Sequence, residues 1–288
     1  MRHPLLWTLV GAQAAGAVGL GVRRSLKDRE ARQVERELLA ADAPAPPFSP
    51  AALDGLPEPA QRYLRHAIAP ATPLVSACWL EMTGEIAPTP GAPLVPLAAT
   101  EALAPREGFV WTARATMNGL PVRVRDHYLD GEGGVAVTAL GVVPVPLGGD
   151  AADVARSSRG RLVGEAVWCP TALVHPDVRW EAVGEDRARY TVTVDGDPVA
   201  VTLRVDADGR LLEVTLDRWG APHGGPAGLH PYGFRVEAEG TFGGVTIPTR
   251  VVGGWLYGTH AFDLTSAASF TVRSASLGPG ALATPSGP

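Results

Sequence analysis

The feature that most limits what this chain can fold into is a series of turn dipeptides set between runs of alternating residues. Asn118-Gly119 separates residues 109–117 from 121–129. Asp130-Gly131-Glu132-Gly133-Gly134 separates that run from 135–140. Asp195-Gly196 lies between 188–194 and 199–205, Asp208-Gly209 between the latter and 211–218, and Gly243-Gly244 between 234–242 and 245–252. Such dipeptides take the positive φ angles that tight hairpin turns demand. Strands joined by turns alone run antiparallel, because parallel crossovers need long connections. The pattern therefore predicts an antiparallel meander.

One helix interrupts it. Residues 150–168 lack proline, offer Asp150 as N-cap with Asp153 in the first turn, and place Leu162, Val163, Ala166 and Val167 on one stripe. Cys169-Pro170 ends the segment. Gly160 and Gly164 each weaken it by ~1 kcal/mol against alanine, so tertiary packing must hold it. The expected class is mainly β (α+β): a single curved antiparallel sheet, an incomplete β-barrel wrapping the inserted helix, plus an N-terminal apolar helix.

Four regions are expected. Residues 1–22 contain an uncharged stretch, 4–22, at the lower end of the membrane-spanning length. A membrane anchor, a cleaved signal with Ala15-Gly16-Ala17 as its small-residue site, and a buried core helix all fit it. No cysteine follows it, which excludes a lipoprotein anchor. Arg23, Arg24, Lys27, Arg29 and Arg32 come next and would keep that flank cytoplasmic in an uncleaved anchor, whereas cleavage would export the body. Membrane anchoring and export thus both stay open. Residues 23–48 read as a charged helix, 23–41, followed by a Pro-rich linker. Residues 49–277 form the β-rich domain, opened by a short helix at 59–68, and 278–288 a disordered tail.

Composition narrows the function classes. With 45% hydrophobic and 19% charged residues, a packed core is feasible. A net charge of −5 offers no global basic face, so no nucleic-acid partner is expected. His175, His223, His230 and His260 lack HExxH or HxH spacing, and Cys78 and Cys169 lack metal-site spacing, so neither metal nor cofactor is expected. Whether those cysteines pair stays open. There is no GxSxG elbow and no GxGxxG before a helix, so no catalytic residue is assigned.

Alternation assigns faces. Val122, Val124, Asp126 and Tyr128 share one side of their strand, and Leu212, Val214, Leu216 and Arg218 one side of theirs. A charge on an apolar face needs a partner. Asp126 pairing with Arg218 is a candidate, as a polar anchor in a ligand cavity or as a plain buried ion pair, and a strand end reaching water is the remaining reading. Glu165, three residues before Trp168, could act as general acid, pair with Arg218, or be solvated. Trp111, which shares a face with Phe109, and Trp255, which shares one with Tyr257, are core filler or the lining of an apolar pocket. The candidate ligand-binding set is Trp111, Asp126, Tyr128, Glu165, Trp168, Arg218 and Trp255.

Several of these residues lie in a wider pattern. Leu56-Pro57-Glu58-Pro59 with Arg62-Tyr63-Leu64, Phe109-Val110-Trp111, Asp126-His127-Tyr128-Leu129-Asp130-Gly131-Glu132-Gly133, Gly164-Glu165-Ala166-Val167-Trp168-Cys169-Pro170-Thr171-Ala172-Leu173, Arg179-Trp180-Glu181, Ile247-Pro248 and Trp255 follow in order. Together they resemble an uncharacterised bacterial family, a domain of unknown function, from about residue 53 to 277. Where that family carries Arg-Tyr-Leu on its central helix, this chain has Arg161-Leu162-Val163. The resemblance implies an open β-barrel like that of lipoprotein carriers, a half-barrel around a greasy cavity, and implies no activity. Three readings follow: binding of an apolar or amphipathic, lipid-like molecule at or near a membrane; an enzyme using Asp126, Glu165 and Arg218; or a membrane-associated structural protein without ligand.

Overall fold

The computed structural model describes residues 29–40, 45–89, 91–140, 143–145 and 149–278. The apolar segment 1–22, the start of the charged helix and the tail from residue 279 lie outside the described residues. Among the described residues no helix is long and apolar enough to cross a membrane.

The strands are β1 (Cys78–Ile86), β2 (Val95–Ala104), β3 (Gly108–Met117), β4 (Leu120–Leu129), β5 (Glu132–Ala139), β6 (Val143–Val145), β7 (Arg179–Ala182), β8 (Arg187–Val194), β9 (Asp197–Val205), β10 (Leu211–Gly220), β11 (Gly228–Phe242), β12 (Val245–Trp255) and β13 (Ala268–Leu277). They form one antiparallel 13-stranded sheet in the order β6-β5-β4-β3-β2-β1-β13-β12-β11-β10-β9-β8-β7. The predicted turns are there. Asn118, Gly119, Asp130, Gly131, Asp195, Gly196, Gly243 and Gly244 all have positive φ.

This order dictates the interior. The chain starts at the middle of the sheet, steps out to the edge strand β6, and must reach the opposite edge strand β7. The connection is the helix α3 (Ala151–Gly164) with the 3₁₀ turns Glu165–Trp168 and Pro170–Val174, packed against β3, β4, β5, β9 and β10. Asp150 caps α3 through Oδ1, which accepts from the amides of Ala152 (2.8 Å) and Asp153 (3.4 Å). The α-helix stops four residues short of the expected Trp168 and finishes as a 3₁₀ turn. Short 3₁₀ pieces commonly close helix ends, and Pro170 disfavours helical backbone at Cys169.

The two wings of the sheet curl toward each other around α3. The Asp130-Gly131 turn lies beside Asp195 of the β8–β9 turn, and Tyr128 donates from its hydroxyl to Asp195 Oδ2 at 2.7 Å. A second helix, α2 (Glu58–Ala67), joins α3 in the interior. Its Tyr63, Leu64 and Ala67 enter the main core with Phe48, Ile68, Tyr190 and Ile247. Thus α3 is not solitary on the concave face, and the greasy hollow implied by the resemblance is mostly filled. The helix over 29–40, α1, packs on a separate patch, where Leu38 and Leu39 meet Ala77, Ala102, Ala104 and Val110.

Close backbone approach is part of this fold. Gly253 faces Phe234 across the β11–β12 ladder, and a Cβ there would run into the Gly233 carbonyl and the Phe234 backbone. Gly253→Ala should therefore cost about 1–3 kcal/mol, the range for overpacking a tight core. Urea unfolding measures it.

Candidate functional site

Three residues in cross-strand register build the buried half of the site. Glu101 on β2 is opposite Trp111 on β3, and Trp111 is opposite Asp126 on β4. Arg161 of α3 descends onto this row. Its guanidinium carbon lies 4.7 Å from the Phe109 ring centroid and 5.1 Å from that of Trp111. Its nitrogens reach three carboxylates: Nε to Glu165 Oε1 at 2.9 Å, Nη1 to Asp126 Oδ2 at 2.7 Å, and Nη2 to Glu101 Oε1 at 3.2 Å.

One cation here faces three acids, and Glu101 is only 1% exposed. Burial, with Glu165 and Asp126 close by, pushes the Glu101 carboxyl well above the usual carboxylate range, against the pull of Arg161. A protonated Glu101 can donate to Glu165, which suits the otherwise partnerless Glu165 Oε2. Burial alone would lower Arg161, but the three carboxylates outweigh it and hold the guanidinium charged. Trp111 Nε1 and Asp126 Oδ1 find no hydrogen-bond partner among the described residues.

Asp126 therefore pairs with Arg161 and not with Arg218. The reason is reach. Arg218, on β10, lies across α3 from β4, with its Cγ against Gly160 and its Nε donating to the Ser157 carbonyl at 3.0 Å. Its guanidinium stands 4.7 Å from the Tyr232 centroid and 5.1 Å from that of Trp255, which meet edge-on. Leu216, Tyr232 and Trp255 are again one cross-strand row. No carboxylate among the described residues pairs with Arg218. The acid–base set Asp126, Glu165 and Arg218 consequently does not converge.

The remaining candidates separate as well. Trp168 is stacked on Phe234, 5.6 Å between centroids, and donates Nε1 to the Pro248 carbonyl at 2.9 Å, so it packs and braces. Tyr128 is buried, and burial together with its bond to Asp195 pushes its hydroxyl up to about 12. Cys78 and Cys169 are both buried free thiols.

Open space lies at the periphery. Between Arg161, Glu165, Trp168, Phe234 and Phe270 only 40 Å³ remains. A 390 Å³ cavity opens where Arg218, Tyr232 and Trp255 meet Ile86, Pro222 and Phe262. A larger one, 780 Å³, lies where the sheet splits: β9 pairs with β10 only from Leu211 to Thr215, so Asp197–Ala200 and Leu216–Trp219 part. The arginines in that split each have a carboxylate, Arg159 with Asp197, Arg189 with Glu181 and Arg156 with Asp153.

Residues 46–266 match a family described as "Family of unknown function (DUF6544)". The chain belongs to this family. Glu101, Asp126, Arg161, Glu165, Arg218 and Trp255 all fall inside the DUF6544 span, while α1 and β13 fall outside it. The matched span begins somewhat before the expected residue 53 and stops short of 277. No curated protein matches the chain. Among solved structures, it is similar to a LolA superfamily protein from Nitrosomonas europaea, at 13% identity over 76% of this chain and 91% of that one, TM-score 0.37. It is also similar to a DUF1329 family protein from Desulfovibrio piger, at 10% identity over 70% and 85%, TM-score 0.33.

Alternation could have found Glu101, which lies among Leu97, Ala99 and Leu103 on one face of β2. The i,i+4 spacing of Arg161 and Glu165 was a second signal. Tyr232 carried none.

Two outcomes follow for the DUF6544 core. Arg161→Met strands buried carboxylates and should cost about 3–5 kcal/mol in urea unfolding. Glu101→Gln should flatten the pH dependence of stability. An unfolded glutamate titrates near ~4.3, below the folded Glu101. The stabilisation from its bound proton is thus complete below that value and lost as pH rises through the raised folded one. Unfolding free energies at roughly pH 5, 7 and 9 should fall more steeply in the wild type than in the variant.

Proposed function

We propose that the protein binds an anionic amphipathic small molecule in the 390 Å³ cavity, its acid head on Arg218 and its apolar part along Trp255 and Phe262. The observation that carries this reading is the state of Arg218. It is held in place by Ser157 and two aromatic rings, faces a cavity, and has no carboxylate. A guanidinium so placed suits a carboxylate or phosphate head, which accepts parallel hydrogen bonds from it. The volume falls in the ordinary range for ligand pockets, about 300–1,000 Å³, and the lining sets apolar walls beside a few polar groups, Arg218, Thr89, His223 and the exposed Asp263, which forms no ion pair with Arg218. Binding at or near a membrane belongs to the same proposal, through the uncharged segment 4–22 and a lipid-like ligand.

Lysophosphatidylglycerol and lysophosphatidylcholine test it, since they differ in net headgroup charge. The wild type should bind the anionic lipid more tightly, read by intrinsic tryptophan fluorescence with native mass spectrometry for stoichiometry. Arg218→Met should weaken that binding about tenfold or more while barely changing affinity for the zwitterion. Equal affinities for the anionic lipid in wild type and variant would sink the proposal.

A further inference from the structure

On the opposite, convex side of the sheet the arginines follow a second pattern. Arg114 on β3 is directly opposite Arg123 on β4, and Arg125 is two residues further along the same face. Like charges directly opposed across strands are destabilising, so this pair works against the β3–β4 ladder that the buried face holds in place. The row continues through Ala98 and Thr83 to β13, where Arg273 Nε donates to Thr83 Oγ1 at 3.1 Å. The first turns of α1 lie alongside and add Arg32 and Glu35. Together these side chains wall a 390 Å³ groove floored by small residues, among them Ala98, Thr100 and Thr112.

Five arginines meet two acids there, Glu35 and Glu81, in a chain whose net charge is −5. Glu35, Arg123 and Arg125 have interactions of their own. The positive surplus therefore rests on Arg32, Arg114 and Arg273, which are exposed and pair with no carboxylate among the described residues. A clustered excess of guanidinium over small side chains fits phosphate oxygens.

We infer that this convex groove is a docking surface for the phosphate headgroups of an anionic lipid membrane. The sequence around α1 favours a membrane over other polyanions. Immediately before the helix, Arg23, Arg24 and Lys27 follow the uncharged residues 4–22, so the groove and the chain's most apolar stretch adjoin the same segment. Basic clusters beside an apolar anchor are attracted to anionic leaflets, by about fivefold in affinity per charge. The groove is on the face opposite Arg218 and does not depend on what that residue binds.

Arginine-selective labelling with phenylglyoxal tests it on the full 288-residue chain. The chain is mixed with vesicles of phosphatidylcholine alone or of phosphatidylcholine with phosphatidylglycerol, and modified sites are quantified by mass spectrometry. Labelling of Arg32, Arg114 and Arg273 should fall about fivefold on the anionic vesicles only, with exposed Arg179 of β7 unchanged. High salt should reverse the protection. Arg114→Gln combined with Arg273→Gln should abolish protection at Arg32 and leave the thermal melt in place. Equal labelling on the two vesicle types overturns the inference. So does equal protection by inorganic phosphate or by a single-stranded oligonucleotide. Labelling of Arg218, read in the same experiment, reports on the cavity separately.

Discussion

A connection that must cross the hollow of a curled sheet governs this molecule. Because β6 and β7 are opposite edges, the chain between them cannot run outside along a neighbouring strand and instead passes over the concave face. A crossing helix of fourteen residues, with two glycines in its sequence and arginines at three positions, is poorly stabilised by itself. It is fixed from both sides by the wings it separates. On one side its Arg161 binds the β2–β4 row, and on the other its Gly160 and Ser157 receive Arg218 from β10. Consecutive positions of one helix thus tie together the halves of the sheet.

The cost of that design is a charge in the core. A guanidinium taken out of water needs every nitrogen answered, and here carboxylates from β2, β4 and the helix's own next turn answer Arg161. Three acids overshoot one cation, and the excess falls on the most enclosed of them, Glu101, whose carboxyl is pushed well above the usual carboxylate range. The arrangement also specifies register. A slip of one residue in β3 would turn Trp111 and Phe109 away from Arg161 and leave Glu101 and Asp126 without it.

How much of this was legible depends on the range of the interaction. Turns are local: Asn118-Gly119 and Asp195-Gly196 announce their geometry by themselves, as does the Asp150 cap. β1, β2 and β13 have no such dipeptide between them and neighbours, so no turn marked β2 as a strand whose alternation would have shown Glu101. Face assignment placed Asp126 inward correctly, because period two needs no partner. The partner is a tertiary fact. Nothing in strand alternation distinguishes an arginine on β10 from one on a helix that crosses between them. Trp168 shows the same limit: its helix position marks it as inward, but only the stacking on Phe234 makes it a brace.

The two clasped arginines, compared directly, separate structure from recognition. Arg161 and Arg218 each lie within about the same distance of two aromatic rings, neighbours on one face of β3 for Arg161 and cross-strand partners on β11 and β12 for Arg218, a contact of modest strength in either place. They differ in what completes them. Arg161 meets three carboxylates and leaves 40 Å³ beside it; Arg218 meets one backbone carbonyl and opens on 390 Å³. A charge whose bonding capacity is used within the fold holds the fold. A charge preoriented by rings, with capacity left over toward a cavity, has an electrostatic interaction still to make, and the gain from making it goes to whatever anion enters.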